Sequence, residues 1–326
     1  MRYFLGVDVG NSKSHALIAD ENGRSLGFGT AGPGSWEAVG WDGAAAVLHD
    51  IVAQAVAMAG ITREQIAGAG FGFAGYDWPE DKPGHTQLVA SLGLMQARVA
   101  FSNDAIVGLV AGAEAGWGVV VVAGTGNNCR GRDRQGREGR MTGDGWRFAE
   151  YGGAGEIVLK AVQAVSLAWT RRGEETGLTA VFLQETGASD VEDMIAGLIR
   201  GRYHLSARHA PLVFAQAKAG DAVAQEILVW AGTELGSLAV GVIRQLALEN
   251  EAFDVVLSGS LYKGSGRLRE IMAATIHEVA PQARLVRLKA PPVVGGVLWG
   301  MEVAGWETAV CRPVLLETAD LLVNGR

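Results

Sequence analysis

The sequence of residues 3–30 reads YFLGVDVGNSKSHALIADENGRSLGFGT and decides the fold class. Tyr3–Val9 is an apolar run, Gly10–Lys13 is a short polar turn, and Ser14–Ala19 is apolar again. A second turn then leads into Arg24–Thr30. Apolar runs separated by turns of Gly, Asn and Asp predict three consecutive strands joined as hairpins.

Helical and strand patterns alternate along the rest of the chain. The predicted strands are Ile66–Phe73, Arg98–Phe101, Val119–Ala123, Asp254–Leu257 and Arg284–Leu288. Apolar residues at spacings of three and four predict helices. These helices are Asp81–Ser91, Asp104–Ala113, a long one from about Asp221, Arg267–His277 and a final one at Val293–Val303. The alternation predicts an α/β protein.

A faint internal repeat suggests how the chain is organised. Residues 6–12 (GVDVGNS) and residues 121–127 (VVAGTGN) both combine a strand, a glycine turn and a polar residue. We therefore expect a duplicated α/β domain with a cleft between the halves, in which the two turns face each other. The expected domains are residues 1–115 and 116–326, and the last helix is able to pack back on the first domain.

Composition excludes several classes of protein. The chain has 326 residues and a formal net charge of −7, with 48% hydrophobic and 19% charged residues, which excludes disorder and argues against a nucleic-acid or anionic-membrane partner. Its two cysteines, Cys129 and Cys311, exclude a disulfide framework and any four-cysteine site within one chain. No leader and no unbroken apolar run of about 20 residues is found, so we expect a cytoplasmic protein.

Two glycine turns are candidates for phosphate binding. Residues 8–14 read DVGNSKS and residues 124–128 read GTGNN. Backbone N–H groups in such turns can surround a phosphate without interference from a side chain. Asp8, at the end of a buried strand, is suited to hold Mg²⁺ through water. For either motif alone, a plain hairpin turn is the alternative.

Two further features favour a site at the ends of strands. Ser258-Gly259-Ser260 follows a buried strand, where glycine permits close approach of a ring or ribose, although helix–strand packing is an equal alternative. Asp104 follows a short strand and opens a helix, a place where a carboxylate can accept a proton from a hydroxyl group. Service as a helix N-cap is the alternative for Asp104.

Three other patterns do not indicate a functional site. Residues 70–75 match G-x-G-x-x-G, but they lie within a predicted strand and no helix follows, so the dinucleotide motif fails its context test. The six histidines show no metal-ligand spacing. Five arginines between residues 130 and 140 alternate with acidic residues around a turn, which predicts a solvated hairpin.

An ordered set of motifs resembles the BadF/BadG/BcrA/BcrD ATPase family over nearly the whole chain. The motifs are Asp8-x-Gly10-x-Ser12-x-Ser14, Asn103-Asp104, Gly124-Thr125-Gly126-x-Asn128-Cys129, Glu150-Tyr151-Gly152-Gly153 and Ser258-Gly259-Ser260. The likeness is greatest to the N-acetylglucosamine kinase branch, whose duplicated RNase H-like domains have the actin/hexokinase arrangement. The resemblance implies a kinase that transfers the γ-phosphoryl group of ATP to a hydroxyl of an amino sugar, N-acetylglucosamine or glucosamine.

The resemblance also implies roles for single residues. ATP and Mg²⁺ would bind between the domains, with Asp8 holding the metal and Asp104 acting as the catalytic base. Implied nucleotide contacts are Gly10, Asn11, Ser12, Lys13, Gly124, Thr125, Gly126, Ser258, Gly259 and Ser260, with Gly295 beside the base. Implied sugar contacts are Ser35, Trp36, Asn103, Asp104, Asn127, Asn128 and Glu150. The family also suggests a homodimer.

Two positions depart from the family pattern, and two other functions stay open. Ser35-Trp36 stands where family members usually have an Asn, often followed by His, and Ala149-Glu150-Tyr151-Gly152 replaces Gly-Asp-Glu-Gly. These changes leave the exact sugar undetermined. The family's other branch activates acyl-CoA dehydratases and reductases through an iron–sulfur cluster between two subunits. A nucleotide- or sugar-sensing protein without catalysis is the third possibility, although Asp104 favours an enzyme.

Overall fold

Five strands from the first third of the chain form one mixed sheet. The computed structural model describes residues 1–264 and 266–325. The strands are β1 (Tyr3–Val9), β2 (Ser14–Asp20), β3 (Ser25–Ala31), β4 (Ile66–Phe73) and β5 (Arg98–Asn103). Their order is β3-β2-β1-β4-β5, antiparallel among the first three strands and parallel from β1 to β5. The predicted opening meander is confirmed.

A second sheet repeats this pattern. Its strands are β6 (Gly118–Ala123), β7 (Asn127–Arg132), β8 (Glu138–Arg140), β9 (Asp254–Ser258) and β10 (Arg284–Arg287). The order is β10-β9-β6-β7-β8, which has the same arrangement as the first sheet. The first three strands, β6, β7 and β8, are antiparallel, and β9 and β10 are added in parallel to β6. The fold is therefore the expected duplicated α/β architecture.

Eleven α-helices surround the sheets in the described part of the chain. They are α1 (Trp36–Ala59), α2 (Lys82–Ser91), α3 (Asp104–Gly112), α4 (Ala154–Trp169), α5 (Leu178–Thr186), α6 (Val191–Ile199), α7 (Ala210–Lys218), α8 (Ala222–Leu246), α9 (Gly266–His277), α10 (Val293–Val303) and α11 (Thr308–Asn324). Short 3-10 turns lie at Arg63–Gln65, Pro79–Asp81, Gly145–Phe148, Ala207–His209 and Leu261–Lys263. The helices and sheets form alternating layers.

Three buried clusters explain the layering. α1 and α2 cover one face of the first sheet, and α4 to α9 cover the outer face of the second. Between the sheets, α3 and α10 pack against Phe4 and Leu17 on one side and Val120 and Val256 on the other. Apolar side chains on both faces of each sheet explain why its inner strands are almost continuously apolar in sequence.

The C-terminal region differs from the prediction in one respect. α10 spans the predicted residues, but it is not the final helix, because α11 follows and packs against β3. Pro313 lies inside α11 and disguises it in the sequence, since proline normally interrupts a helix. Both helices thus pack with the first sheet although the second sheet precedes them in the chain.

One helix is apolar and long enough to span a membrane by composition alone. It is α8, and 61% of its most apolar window is buried inside the protein. Buried residues such as Ile227, Leu235 and Val242 belong to the core beneath the second sheet. α8 therefore has the burial of a core helix.

Candidate active site

The carboxyl ends of three parallel strands meet at one edge of the first sheet. Val9, Phe73 and Asn103 are register partners at the ends of β1, β4 and β5. Polar residues at or just after these ends therefore lie close together, as is typical of binding sites in α/β sheets. Asp8 and Asp104 are two of them.

A cavity of about 230 Å³ opens at this edge. It is lined from the first half by Asp8, Gly10, Asn11, Ser12, Lys13, Asp104, Ala105 and Gly108, and from the remainder by Val122, Ser258 and Pro292. The structure thus brings the first glycine turn, Asp104 and the end of β9 to one cavity. The turn is closed by the Gly10 N–H, which donates to the Lys13 carbonyl at 3.1 Å.

The second glycine turn lies beside the same cavity. It follows β6, whose Val122 is the register partner of Ser258, and both residues line the cavity. The N–H groups of Ala154 and Gly155, which open α4, donate to the carbonyls of Gly124 and Thr125 at 2.9 Å. Apart from chain neighbours, no described residue has an atom within 4 Å of the Cβ positions of Gly124 and Gly126, so these positions are open.

Close packing at the second turn depends on Gly153. A Cβ atom there would lie 2.7 Å from the Cα of Gly126, a distance that backbone atoms cannot accommodate. Glycine therefore lets the N-terminus of α4 approach the turn. A helix N-terminus carries partial positive charge, so this arrangement favours an anion beside the turn.

Burial raises the pKa of both carboxyl groups in the cavity. The pKa of Asp8 rises to about 8, through burial first and the charge of Asp104 second. The pKa of Asp104 rises to about 6, through burial first and the charge of Asp77 second, while Arg130 opposes the rise. Two carboxylates that share a poorly solvated cavity favour a bound cation, because it offsets their repulsion.

Asp104 is not the N-cap of α3. The cap is Asn103, whose side-chain oxygen accepts from the Ala105 N–H at 3.0 Å. Asp104 is the first helical residue, and its carboxyl group is half-buried at the cavity. The alternative role of Asp104 as the N-cap of α3 is therefore wrong, and its carboxylate is not used in capping.

Asp77 and Arg130 were not predicted as site residues. Arg130 is only 3% exposed and forms an ion pair with Asp77, so the solvated hairpin predicted for this region is wrong at Arg130. The Asn103 amide also donates to Asp77 at 3.1 Å. Asp77 lies after the end of β4, the strand between β1 and β5 in the sheet. That position after a parallel strand was the sequence signal that could have identified Asp77 as a site residue.

Ser35 and Trp36 pack against the turn that precedes Asp77. The Trp36 indole N–H donates to the Gly75 carbonyl at 2.7 Å, and its ring stacks on Trp41 with centroids 4.8 Å apart. Ser35 is 1% exposed, and its hydroxyl has no hydrogen-bond partner among the described residues. Trp36 is thus held in place, whereas Ser35 has an unused polar group.

Asn127, Asn128 and Glu150 occupy the facing half. Glu150 is buried, and its carboxylate oxygens accept from the backbone N–H groups of Thr142 at 2.6 Å and Gly143 at 2.8 Å. Its charge therefore organises the loop that follows β8. The side-chain oxygens of Asn127 and Asn128 are buried and have no partner in the described chain. Direct contact of these residues with a sugar stays a prediction.

A larger cavity of about 920 Å³ lies beyond Ser258-Gly259-Ser260. Its lining includes Phe214, Lys218, Gln225, Ser260, Leu261 and Arg267, from α7, α8 and the start of α9. Gly259 has φ +112°, and a Cβ atom there would lie 2.1 Å from the Ala123 carbonyl oxygen. The glycine therefore lets the chain pass close to β6 and link the two cavities.

Gly295 is not among the residues that line either cavity. It is buried in α10, where a Cβ atom would lie 1.8 Å from the carbonyl oxygen of Val107 in α3. Gly296 meets β1 and β4 in the same way. The pair permits close packing of α10 against α3 and the first sheet, and contact of Gly295 with a nucleotide base stays a prediction.

The side chains around the cavity determine which kind of metal site could form there. The described residues contain no group of three or more His, Cys, Asp or Glu side chains placed to hold a metal ion. Asp8 and Asp104 do face one cavity, which suits a cation bound mainly through water and a ligand's oxygens, as is usual for Mg²⁺. The site fits Mg²⁺ held in this way and does not fit a closed protein cage.

Two characterised proteins are similar in sequence over most of their length. An N-acetylmuramic acid/N-acetylglucosamine kinase of Clostridium acetobutylicum is 27% identical over 301 residues, which cover 91% of this chain and 98% of that protein. An N-acetyl-D-glucosamine kinase of Dictyostelium discoideum is 29% identical over 307 residues, covering 90% and 96% respectively.

Comparison with solved structures supports the fold. The crystal structure of a proposed N-acetylglucosamine kinase from Chromobacterium violaceum has a TM-score of 0.61 and 22% identity, covering 91% of this chain and 98% of that one. The sequence model of the BadF/BadG/BcrA/BcrD ATPase family matches residues 5–300, which include the glycine turns, Asp104 and the end of β9. The chain therefore belongs to the BadF/BadG/BcrA/BcrD ATPase family.

Proposed function

We propose that the protein is an ATP-dependent kinase that phosphorylates a hydroxyl group of an amino sugar, N-acetylglucosamine or glucosamine. The observation that carries the proposal is the meeting of Asp104, the Gly10–Lys13 turn and Ser258 at one cavity. Phosphoryl transfer needs positioned phosphates, neutralised charge and an oriented nucleophile, and little covalent chemistry from the protein. The kinase names of both sequence relatives support this function.

The nucleotide would extend across both cavities. Gly10, Asn11, Ser12 and Lys13 would bind phosphate oxygens from one wall, and Gly124, Thr125 and Gly126 from the other. Ser258, Gly259 and Ser260 would follow the ribose, so that the base enters the larger cavity. Mg²⁺, held through water by Asp8, would neutralise charge on the phosphates.

The sugar would bind on the side of Asp104 that faces Ser35, Asn127 and Asn128. Three buried oxygens have no hydrogen-bond partner among the described residues, the Ser35 hydroxyl and the two asparagine side-chain oxygens. Buried polar groups are normally hydrogen-bonded, and sugar hydroxyl or amide hydrogens are suitable donors. Asp104 would accept the proton of the attacking hydroxyl as the phosphorus–oxygen bond forms.

We propose that residues 1–115 and 116–326 act as two domains that close around the substrates. Closure would exclude water from the phosphoryl group and so limit hydrolysis. Attachment of α10 and α11 to the first sheet supports a last helix that returns to the first domain. A cytoplasmic location and a homodimer are part of the same proposal.

The activator function is disfavoured by the cysteines. A cluster shared between subunits needs thiols at the surface, but Cys129 and Cys311 are both buried and lie in different core clusters. Burial also raises the pKa of the Cys129 thiol, which disfavours the thiolate that binds metal. No observation favours the sensor function over the kinase.

The proposal is tested by ADP release over a panel of sugars. We expect stimulation by N-acetylglucosamine or glucosamine, compared with N-acetylmannosamine, N-acetylmuramic acid and glucose. D104N is expected to lower turnover by about 1,000-fold or more while ATP still binds, on the scale of lost general-base and orienting effects. D42N, at an exposed carboxylate of α1, is the matched control. A wild-type protein that no sugar stimulates would contradict the kinase function.

A further inference from the structure

A buried ion pair joins the two halves next to Asp104. Arg130 lies on β7 of the second sheet, and Asp77 lies in the turn after β4 of the first. Arg130 is 3% exposed, and its Nε atom has no hydrogen-bond partner among the described residues. The carboxylate of Asp77, whose side chain is 25% exposed, is therefore the main compensation for the buried guanidinium, and its loss would leave Arg130 buried without that partner.

Asp77 also fixes the residue that precedes Asp104. The Asn103 Nδ2 atom donates to the Asp77 carboxylate at 3.1 Å and to the Tyr76 carbonyl at 3.4 Å. Its Oδ1 atom accepts from the Ala105 N–H at 3.0 Å and caps α3. A rotated Asn103 amide could not make both sets of bonds, because only one end donates.

These contacts form a chain from the second half to the start of α3. Arg130 holds Asp77, Asp77 orients Asn103, and Asn103 caps the helix whose first residue is Asp104. Small displacements of a reacting group are costly, since about 1 Å can lower a rate by about 100-fold. This series of contacts is therefore placed to control the position of Asp104.

We propose that Arg130 is a positioning residue, which holds Asp104 in its reactive place through Asp77 and Asn103. The proposal rests on the role of Asp104 as base in the proposed kinase. It does not require Arg130 to touch either substrate. Loss of Arg130 should lower the rate of the chemical step and leave substrate binding nearly unchanged, because Asp8, the Gly10–Lys13 turn and Ser258 do not depend on this series of contacts.

The neighbouring charges determine which variants are informative. Arg130 faces Asp77, Asp104, Glu138 and Arg140. R130M removes the cation and leaves Asp77 unpaired, whereas R130K keeps a positive charge. The double variant D77N/R130M removes both charges, and Asn at position 77 can still accept from Asn103. R132M is the matched control on the same strand.

Arg132 pairs with Glu302 and lies over the ring of Trp299, away from the cavity. For R130M we expect kcat to fall by about 30- to 100-fold, with KM for ATP and for the sugar within about 2-fold of wild type. R130K should recover most of the rate, and D77N/R130M should exceed R130M. R132M should match wild type in kcat.

The outcomes separate this proposal from the proposed function. If wild type phosphorylates sugars and R130M keeps its kcat, or loses activity only through KM, Arg130 does not position Asp104. If R130M does not fold, R130K and D77N/R130M carry the comparison, and a double variant with the kcat of wild type overturns the proposal. If wild type shows no sugar-dependent turnover, the kinase function fails, and the positioning role fails with it.

Discussion

Asp8 and Asp104 face one cavity at the same edge of the first sheet, Asp8 near the end of β1 and Asp104 just after β5. The charge of Asp104 contributes to the raised pKa of Asp8. In the free protein this arrangement opposes ionisation of Asp8, because its carboxyl group is poorly solvated and faces the charge of Asp104. A bound cation offsets both effects, so the same repulsion that costs stability favours metal-bound nucleotide.

The first prediction is that Asp8 lowers the stability of the free protein and supports its turnover. D8N removes a carboxyl group whose ionisation is opposed in the folded state, and it should stabilise the free protein at pH 7 by about 2 kcal/mol, a value discounted for the opening to solvent. It should also reduce Mg²⁺-dependent turnover by about 100-fold, in line with the role of the metal in phosphoryl transfer. Denaturant unfolding and ADP release measure the two effects. Equal stability with full turnover would remove Asp8 from the metal site.

The second prediction concerns Ser35. Its buried hydroxyl has no partner in the described chain, so S35A should leave the free energy of unfolding unchanged or raise it. If the hydroxyl binds the sugar, KM for the sugar should rise by about 10-fold and KM for ATP should stay constant, the usual size for one lost hydrogen bond in a buried site. Steady-state kinetics with each substrate varied in turn provide the test. A sugar KM equal to that of wild type would exclude the contact.

The third prediction concerns the link between the two cavities. G259A introduces a Cβ atom that would lie 2.1 Å from the Ala123 carbonyl oxygen, at a φ of +112° that other residues avoid. The strand end must move, and ATP affinity should fall by at least about 10-fold, equal to about 1.4 kcal/mol. Calorimetric titration with ATP measures the change. Unaltered affinity would place the nucleotide away from Ser258–Ser260.

The fourth prediction is a dependence of stability on pH through His15. Burial, followed by the charge of Lys13, lowers the pKa of His15 to about 4, and the side chain is 7% exposed. The unfolded chain, with a pKa near 6.5, binds more protons than the folded one between about pH 6.5 and 4. Folding stability should therefore fall as pH decreases through that window, by about 3 kcal/mol from this group.

The comparison for His15 uses a neutral variant. H15N has no ionisable side chain at this position, so its stability should decline less between pH 6.5 and 4 than that of wild type. His85 also has a lowered pKa and is unchanged in both proteins, so the difference between the two curves isolates His15. Parallel curves from urea unfolding at each pH would show that His15 does not titrate differently on folding.

Much of the fold could be predicted because local patterns are informative there. The opening meander, β4 and α8 have clear periodicity or turn chemistry, and the repeat of a strand with a glycine turn indicated the duplicated architecture. The position of α11 was missed because Pro313 interrupts the helical pattern. The packing of Gly295 against α3 could not be predicted, because a glycine pair at a helix start has the same pattern whether a ligand or another helix approaches it.

The sequence by itself determined which residue types end the strands and where the turns occur, since these depend on near neighbours in the chain. It could indicate Asp8 and Asp104 because each stands at a strand end. Only the tertiary structure decided that Arg130 meets Asp77, that Ser258 joins Asp104 at one cavity, and that Gly295 packs against Val107. Such pairings depend on distances between segments far apart in sequence, and the packing of the two sheets around α3 and α10 fixes those distances.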